Sequence, residues 1–168
     1  MELARQLVAI TGFTELERGI TVNPGIIRGG TRTNVVAAEA EAEIDVRIEK
    51  MSDAKRIHKK FQSLKPFNRH CKLEVSGGVN RPPMERTKGV AALYGLARGL
   101  ARGLGQELRE TAVGGGSDGN FTAGLGIPTL DGLGCAGEGA HAVNESIWID
   151  ALPARAALIA GLVENIPD

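Results

Sequence analysis

Two glycine-rich segments in the second half of the chain carry the side chains best suited to chemistry. Residues 114–120 read Gly-Gly-Gly-Ser-Asp-Gly-Asn, and residues 134–144 place His141 among three glycines. A neutral imidazole on a loop is a suitable zinc ligand. Glycines lack a Cβ atom, so the first segment lets backbone amides approach a ligand carboxylate or carbonyl oxygen closely. Together the segments indicate part of a metal-dependent site.

Each of these segments also has a purely structural interpretation. One imidazole does not make a zinc site, because a structural zinc needs about four ligands and a catalytic zinc about three plus water. Glu138, Asp118 and Asp131 lie nearby, but no repeated metal-ligand spacing joins them to His141. An ordinary hydrogen-bonded loop histidine therefore stays open, as does a tight turn into a helix capped by Ser117 or Asp118.

The first glycine segment also raises the possibility of a nucleotide site. Gly114, Gly116 and Gly119 satisfy the spacing of a dinucleotide fingerprint. However, the preceding Arg109-Glu110-Thr111 is too polar for a central parallel strand, and no complete strand-helix-strand unit ends in an acid about twenty residues further on. Asn120 stands where a nucleoside-triphosphate loop needs lysine. The sequence thus argues against a nucleotide.

Three polar residues outside these segments could recognise a carboxylate. Arg47 and Arg81 carry guanidinium groups, which bind carboxylates through two parallel hydrogen bonds, and Asn34 offers a neutral amide. A surface salt-bridge ladder is the alternative for Arg47, because it shares a strand face with Glu43, Asp45 and Glu49.

The composition excludes several classes of partner. Twenty Lys plus Arg balance twenty Asp plus Glu, so neither nucleic acid nor an anionic membrane is an expected partner. The longest apolar stretch, residues 156–163, is far short of the roughly 20 residues that span a bilayer. Cys71 and Cys135 lie far apart without paired-thiol spacing, and no leader is evident, so we expect a cytoplasmic protein.

Periodicity predicts a small α+β sandwich in the first half of the chain. Leu3, Leu7, Val8 and Ile10 indicate a helix whose beginning is missing. Period-two alternation from Ile20 to Ile48 predicts neighbouring antiparallel strands. A helix capped by Ser52 follows through about Leu64, and Cys71, Leu73 and Val75 indicate another strand. We expect a domain boundary near Pro82-Pro83.

The second half reads as an alternation of helices with two short strands. An alanine-rich helix ends near Gly105, a poor strand covers residues 108–113, and a short helix lies near Phe121. Ile127 to Leu130 predict a buried strand. The last helix is expected to be capped by Asp150 and to turn one set of residues inward, namely Leu152, Ala156, Ile159 and Val163.

Several motifs in this order resemble the zinc exopeptidases and deacylases that include glutamate carboxypeptidase, acetylornithine deacetylase and succinyl-diaminopimelate desuccinylase. The resemblance covers nearly the whole chain. Its carriers are Gly29-Gly30-Thr31-Arg32-Thr33-Asn34-Val35-Val36, Asp45-Val46-Arg47, Asn80-Arg81-Pro82-Pro83, the segment 114–120 and Gly139-Ala140-His141.

The resemblance implies an α+β and α/β architecture in two parts. Residues 1–82 would form a small ferredoxin-like antiparallel sandwich, the lid and dimerisation domain, with its start missing. Residues 83–168 would form the C-terminal part of an α/β metallopeptidase catalytic domain. The metal ligands and the general base of the family's N-terminal half have no counterpart in this sequence.

The resemblance also implies residue roles. His141 would be a zinc ligand, and the substrate would be bound by a second set of residues, some of them across a dimer interface: Asn34, Arg47, Arg81, Gly115, Gly116 and Ser117. No catalytic residue can be assigned.

Three functions follow as hypotheses. The first is the C-terminal portion of a zinc-dependent metallohydrolase, homodimeric and inactive alone, that cleaves amide or peptide bonds of small carboxylate-bearing substrates. The second is a non-catalytic dimerisation or assembly module built on the region from Ile20 to Val75. The third is a binder of acidic amino acids that needs no metal.

Overall fold

Five α-helices and two small antiparallel sheets form the part of the chain that the computed structural model describes, residues 1–166. The chain divides into two units, Met1–Pro83 and Met84–Asp168. The predicted mixture of helices and antiparallel strands is confirmed. In chain order the elements are α1 Glu2–Thr11, β1 Thr21–Gly29, β2 Ala40–Arg47, α2 Met51–Gln62, α3 Lys88–Gly103, α4 Gly119–Gly124, β3 Gly137–Glu138, β4 Ser146–Ile147 and α5 Leu152–Asn165.

The first unit is built around a hairpin. β1 pairs antiparallel with β2, from Thr21 opposite Arg47 to Gly29 opposite Ala40. The register shifts between Pro24 and Ile26, as expected where proline removes an amide donor from the ladder. α1 packs against both strands, and Ile10, Ile20, Val22 and Ile57 are the buried apolar residues of this unit.

Helix α2 begins earlier than its predicted cap. The amide of Asp53 already bonds to the carbonyl of Lys50 at 2.9 Å, so the N-cap is Lys50 and Ser52 lies within the helix. The prediction that Ser52 caps the helix is therefore wrong. Ile57 is buried as its periodicity predicted, but so is the charged Asp53.

One predicted strand of the first unit, and one part of the region predicted to alternate between Ile20 and Ile48, do not join the sheet. Cys71, Leu73 and Val75 are half-buried and alternate with exposed neighbours, yet no described strand pairs with them. Residues 34–36 belong to the loop 30–39 that joins β1 to β2. A strand requires a hydrogen-bonded neighbour, which local alternation cannot supply.

The core of the second unit lies between α3 and α5. Thr87 caps α3 by accepting a hydrogen bond from the amide of Val90, and Gly105 adopts a left-handed φ of 72° just beyond the helix end. Gly161 of α5 faces the Leu100 side chain, and a Cβ atom there would lie 3.5 Å from it, an ordinary packing distance. The buried cluster consists of Ala97, Ala101, Leu158 and Leu162.

Helix α5 buries a different face from the one predicted. Leu158 and Leu162 are inside, whereas Leu152, Ala156, Ile159 and Val163 are exposed. The helix is apolar on most of its circumference, so periodicity alone could not select the buried face. Asp150 does not cap it either, because α5 starts from Ala151 after a 3₁₀ turn, Ile149–Ala151, without a side-chain cap.

The two strands predicted in the second half are also absent from the described residues. Residues 108–113 and 127–130 have no regular structure, and Ile127 is exposed rather than buried. Large apolar side chains remain on the surface of this unit, which is unusual for a monomer when they form a contiguous patch. They include Phe121, Leu125, Ile127, Trp148, Ile149, Leu152, Ile159 and Val163.

No helix within residues 1–166 has the length and apolar character needed to cross a membrane. Both cysteines, Cys71 and Cys135, are free and half-buried.

Candidate functional site

His141 lies in the turn that closes the β3–β4 hairpin. Gly137 pairs with Ile147 and Glu138 with Ser146, so the seven residues 139–145 form the connection. Within it the amide of Ala142 donates to the carbonyl of Gly139 at 2.8 Å. The turn is thus held by its own backbone, and the His141 side chain is exposed to solvent.

The backbone of His141 is strained. Its φ is 66°, and it is the one non-glycine residue with positive φ in the described part of the chain. A left-handed conformation costs a residue with a Cβ atom on the order of 1–3 kcal/mol and is concentrated at functional sites. The His141 amide donates to a carboxylate oxygen of Glu145 at 3.3 Å, which helps to hold this conformation.

The described residues do not form a complete metal site. Among residues 1–166, no three His, Cys, Asp or Glu side chains are grouped so that they could hold a metal ion. His141 can therefore supply one zinc ligand, but this part of the chain does not provide the three protein ligands that a catalytic zinc needs.

Hydrogen bonds fix the C-terminal end of the glycine segment 114–120. The amide of Ser117 donates to the Asn120 side-chain carbonyl at 2.7 Å, and the amide of Gly119 donates to the Ser117 hydroxyl at 3.1 Å. The Ser117 hydroxyl thus binds an amide two residues along the chain, while the N-cap of α4 is Asp118, so Ser117 does not occupy the cap position that its structural interpretation required. The acceptor role of Asn120 was not predicted from the sequence. An asparagine side chain often accepts a hydrogen bond from a backbone amide a few residues away, so its position three residues after Ser117 was the available signal.

The glycines of this segment differ in what the fold requires of them. A Cβ atom on Gly119 would lie 3.2 Å from a methyl group of Thr129, so packing favours glycine there. A Cβ atom on Gly115 would meet nothing within 4 Å. Packing therefore gives no reason for glycine at 115, which is consistent with a backbone kept open for a ligand.

The three predicted carboxylate-binding residues lie in different segments. Asn34 is in the loop that joins β1 to β2 at one end of the hairpin, whereas Arg47 ends β2 at the other end. Seven residue steps separate Ala40 from Arg47, which is about 23 Å along the strand. Arg81 follows in an exposed segment without regular structure. Arg47 donates to Asp45 at 2.9 Å, as the salt-bridge alternative predicted.

The strongest electrostatic cluster of the first unit was not predicted. Asp53 accepts hydrogen bonds from Arg18 at 2.7 Å and Arg56 at 3.3 Å, and Glu15 binds Arg56 and Lys60. Hydrogen bonds from Arg56 and then Lys60 lower the pKa of Glu15 to about 2. These residues join the 3₁₀ turn Leu16–Arg18 to α2, which indicates a structural role.

Comparison with known proteins gives one family. The model of peptidase family M20/M25/M40 matches residues 5–165. The uncharacterized protein YqjE of Bacillus subtilis (strain 168) is 27% identical over 167 residues, 97% of this chain and 44% of that protein. Carboxypeptidase G2 of Pseudomonas sp. (strain RS-16) is 28% identical over 155 residues, 89% of this chain and 37% of that protein. The chain therefore spans less than half the length of these curated relatives.

Proposed function

Because the chain belongs to peptidase family M20/M25/M40, we propose that it acts as the C-terminal portion of a zinc-dependent metallohydrolase. The observation that carries this proposal is the strained, exposed His141 at the tip of the β3–β4 hairpin. A fold that holds a histidine in a left-handed conformation without burying its side chain gains no packing from it, so a ligand role accounts for the strain.

Under this proposal the chain has no hydrolase activity on its own. It contributes one zinc ligand, His141, while the remaining ligands and the general base come from a polypeptide that supplies the rest of the family's catalytic domain. The exposed apolar side chains of α5, Leu152, Ile159 and Val163, support such a partner, because large apolar side chains left on a surface favour burial against another chain.

The proposed substrates are small amides or peptides that carry a carboxylate. Asn34, Arg47 and Arg81 offer donors for that carboxylate, some of them from the second protomer of a homodimer, because Asn34 and Arg47 lie at opposite ends of the hairpin. Gly115, Gly116 and Ser117 are proposed to line the substrate pocket, and the open space around Gly115 supports that role. One relative is named a carboxypeptidase, which agrees with this substrate class.

We further propose that residues 1–82 form a lid and dimerisation domain of ferredoxin-like type. The antiparallel hairpin, the helices α1 and α2, and the extended residues 71–76 support this. The alternating burial of residues 71–76 is typical of a strand whose hydrogen-bonded neighbour is not present in the described chain.

Zinc titration of metal-stripped protein tests the metal role. We expect negligible stoichiometric binding by the chain alone, both in the wild type and in His141→Ala. Mixing with a separately made N-terminal part of a family member should restore zinc-dependent amide hydrolysis, and His141→Ala should abolish it. Restored activity that survives His141→Ala would contradict the ligand role, and a chain that never complements would contradict the whole proposal.

A second candidate function is a non-catalytic assembly module, which one observation favours. Within the described residues each strand of the first sheet has a single hydrogen-bonded neighbour, and β1 also exposes Ile26 and Ile27. An open strand edge with apolar side chains favours pairing with a second copy. Ile27→Lys should then convert a homodimer to a monomer in light scattering, whereas Val36→Lys in the adjoining loop should not.

A further inference from the structure

A pocket of about 380 Å³ lies beside the second half of α3. One wall is the stripe of Tyr94, Arg98 and Arg102, which are spaced four residues apart on the helix. The other wall is the segment that follows the helix, where Leu108 and Arg109 line the same space. The pocket therefore combines an apolar floor with three guanidinium groups.

The second wall of the pocket is held in place by several bonds. The Tyr94 hydroxyl donates to the Leu108 carbonyl at 3.1 Å, and the amide of Gln106 donates to the Ala101 carbonyl at 2.8 Å. Leu108 also packs against the α3–α5 core. The pocket is thus already formed in the chain as it stands.

The charges of the pocket are not balanced. Glu107 is the carboxylate among its lining residues, and Arg109 already binds both of its oxygens, at 2.9 and 3.0 Å. The nearby Glu110 accepts two hydrogen bonds from Arg86, at 2.9 and 3.0 Å. Its interaction with Arg98 is electrostatic only, without a hydrogen bond.

Arg98 and Arg102 are therefore the unpaired charges of the pocket. Both are exposed and make no ion pair within residues 1–166. Arg102 lies in the last turn of α3, where the helix dipole favours a positive charge. Arg98 lies one turn earlier, and its positive charge repels that of Arg102. Two like charges four residues apart destabilise a helix unless an anion bridges them.

We propose that this pocket binds a small, multiply charged oxyanion, which Arg98 and Arg102 hold together while Tyr94 and Leu108 form the floor. Guanidinium groups match the geometry of phosphate and carboxylate oxygens and bind them through paired hydrogen bonds. Two such groups one helical turn apart suit a di- or trivalent anion better than a monovalent one. This site does not depend on the proposed hydrolase function.

Calorimetric titration of the full chain with pyrophosphate at low ionic strength tests the proposal, with citrate as a second arm. We expect saturable binding that Arg98→Gln with Arg102→Gln weakens at least about tenfold. The affinity of Arg98→Lys with Arg102→Lys should lie between those of the wild type and the double glutamine variant, because lysine keeps the charge but loses the paired hydrogen bonds. Tighter binding of citrate than of pyrophosphate would support the same site and assign it to carboxylates.

The matched control is Lys55→Gln with Lys59→Gln, which removes two exposed cations four residues apart on α2. Its affinity for pyrophosphate should stay within about twofold of the wild type, since these lysines do not line the pocket beside α3. An equal loss in both double variants would show general charge attraction and overturn the proposal. So would the absence of saturable binding by the wild type. Unchanged unfolding midpoints will show that the variants are folded.

Discussion

Arg18 donates a 2.7 Å hydrogen bond to Asp53, whose side chain is only 3% exposed. The arginine follows α1 in a 3₁₀ turn and the aspartate lies in the first turn of α2, so the bond fixes one element against the other. Arg18, followed by the weaker hydrogen bond from Arg56, lowers the pKa of Asp53 although burial acts in the opposite direction.

Asp53→Asn should lower the thermal unfolding midpoint by several degrees. The change leaves two arginines near a buried site without their shared anion, and an uncompensated charge there is costly. Asp45→Asn is the matched control, because Asp45 pairs with Arg47 on the surface and such pairs contribute little. Equal effects of the two substitutions would contradict a structural role of Asp53.

Acid should destabilise the protein through Glu15. Its pKa is about 2 in the folded chain against 4.5 ordinarily, so the folded state binds this proton less tightly than the unfolded state. The resulting stability is complete above pH 4.5 and is lost as the pH falls toward about 2. Denaturant midpoints of the wild type and Glu15→Gln should therefore differ at pH 7 and converge toward pH 2. A constant difference across this range would refute the assignment.

Leu162→Ala should destabilise the second unit by about 2–4 kcal/mol, because Leu162 is only 5% exposed in the α3–α5 core. Val163→Ala, one residue along, should change the free energy of unfolding by less than about 0.5 kcal/mol, since Val163 is 74% exposed. Denaturant unfolding measures both. A larger loss of stability in Val163→Ala than in Leu162→Ala would instead support the buried face that periodicity predicted.

His141→Gly should raise the free energy of unfolding by about 0.5–1 kcal/mol. Glycine relieves the left-handed strain, and this gain exceeds the entropy that glycine adds to the unfolded chain. Ala140→Gly is the control, because φ is not positive there and only the entropic loss of about 0.5–1 kcal/mol remains. A destabilised His141→Gly would mean that the imidazole supports the fold instead of a ligand.

The helices could be predicted because their signals are local. The apolar spacing of residues 3–10, 54–64 and 90–104 locates α1, α2 and α3 to within a few residues. In α5 the same method found the helix but not its buried face, because apolar residues lie on most sides of it.

The strands depend on partners, and this limited their prediction. Apolar and polar residues alternate in segment 40–47, which pairs with β1. They alternate equally well in segment 71–76, which pairs with no described strand. The predicted caps failed for a similar reason. Ser52 and Asp150 are suitable cap residues, but the backbone begins each helix elsewhere.

Of the candidate site, the sequence located the segments but not their geometry. It pointed to His141 and to residues 114–120, while the left-handed backbone of His141 and the bond from Ser117 to Asn120 are visible only in three dimensions. It also missed Asp53 and Glu15, since nothing in their local pattern shows that arginines from other elements surround them.

The apolar side chains exposed on α5 and just after α4 bear on how long the chain would survive in a cell. Leu125 is 80% exposed and Val163 74%, and exposed apolar segments are what chaperones and proteases recognise. A molecule that remains uncovered is expected to turn over quickly, and one that is covered to persist. The amount of this protein would then be set after translation by the supply of whatever covers that surface, with little response to its own rate of synthesis.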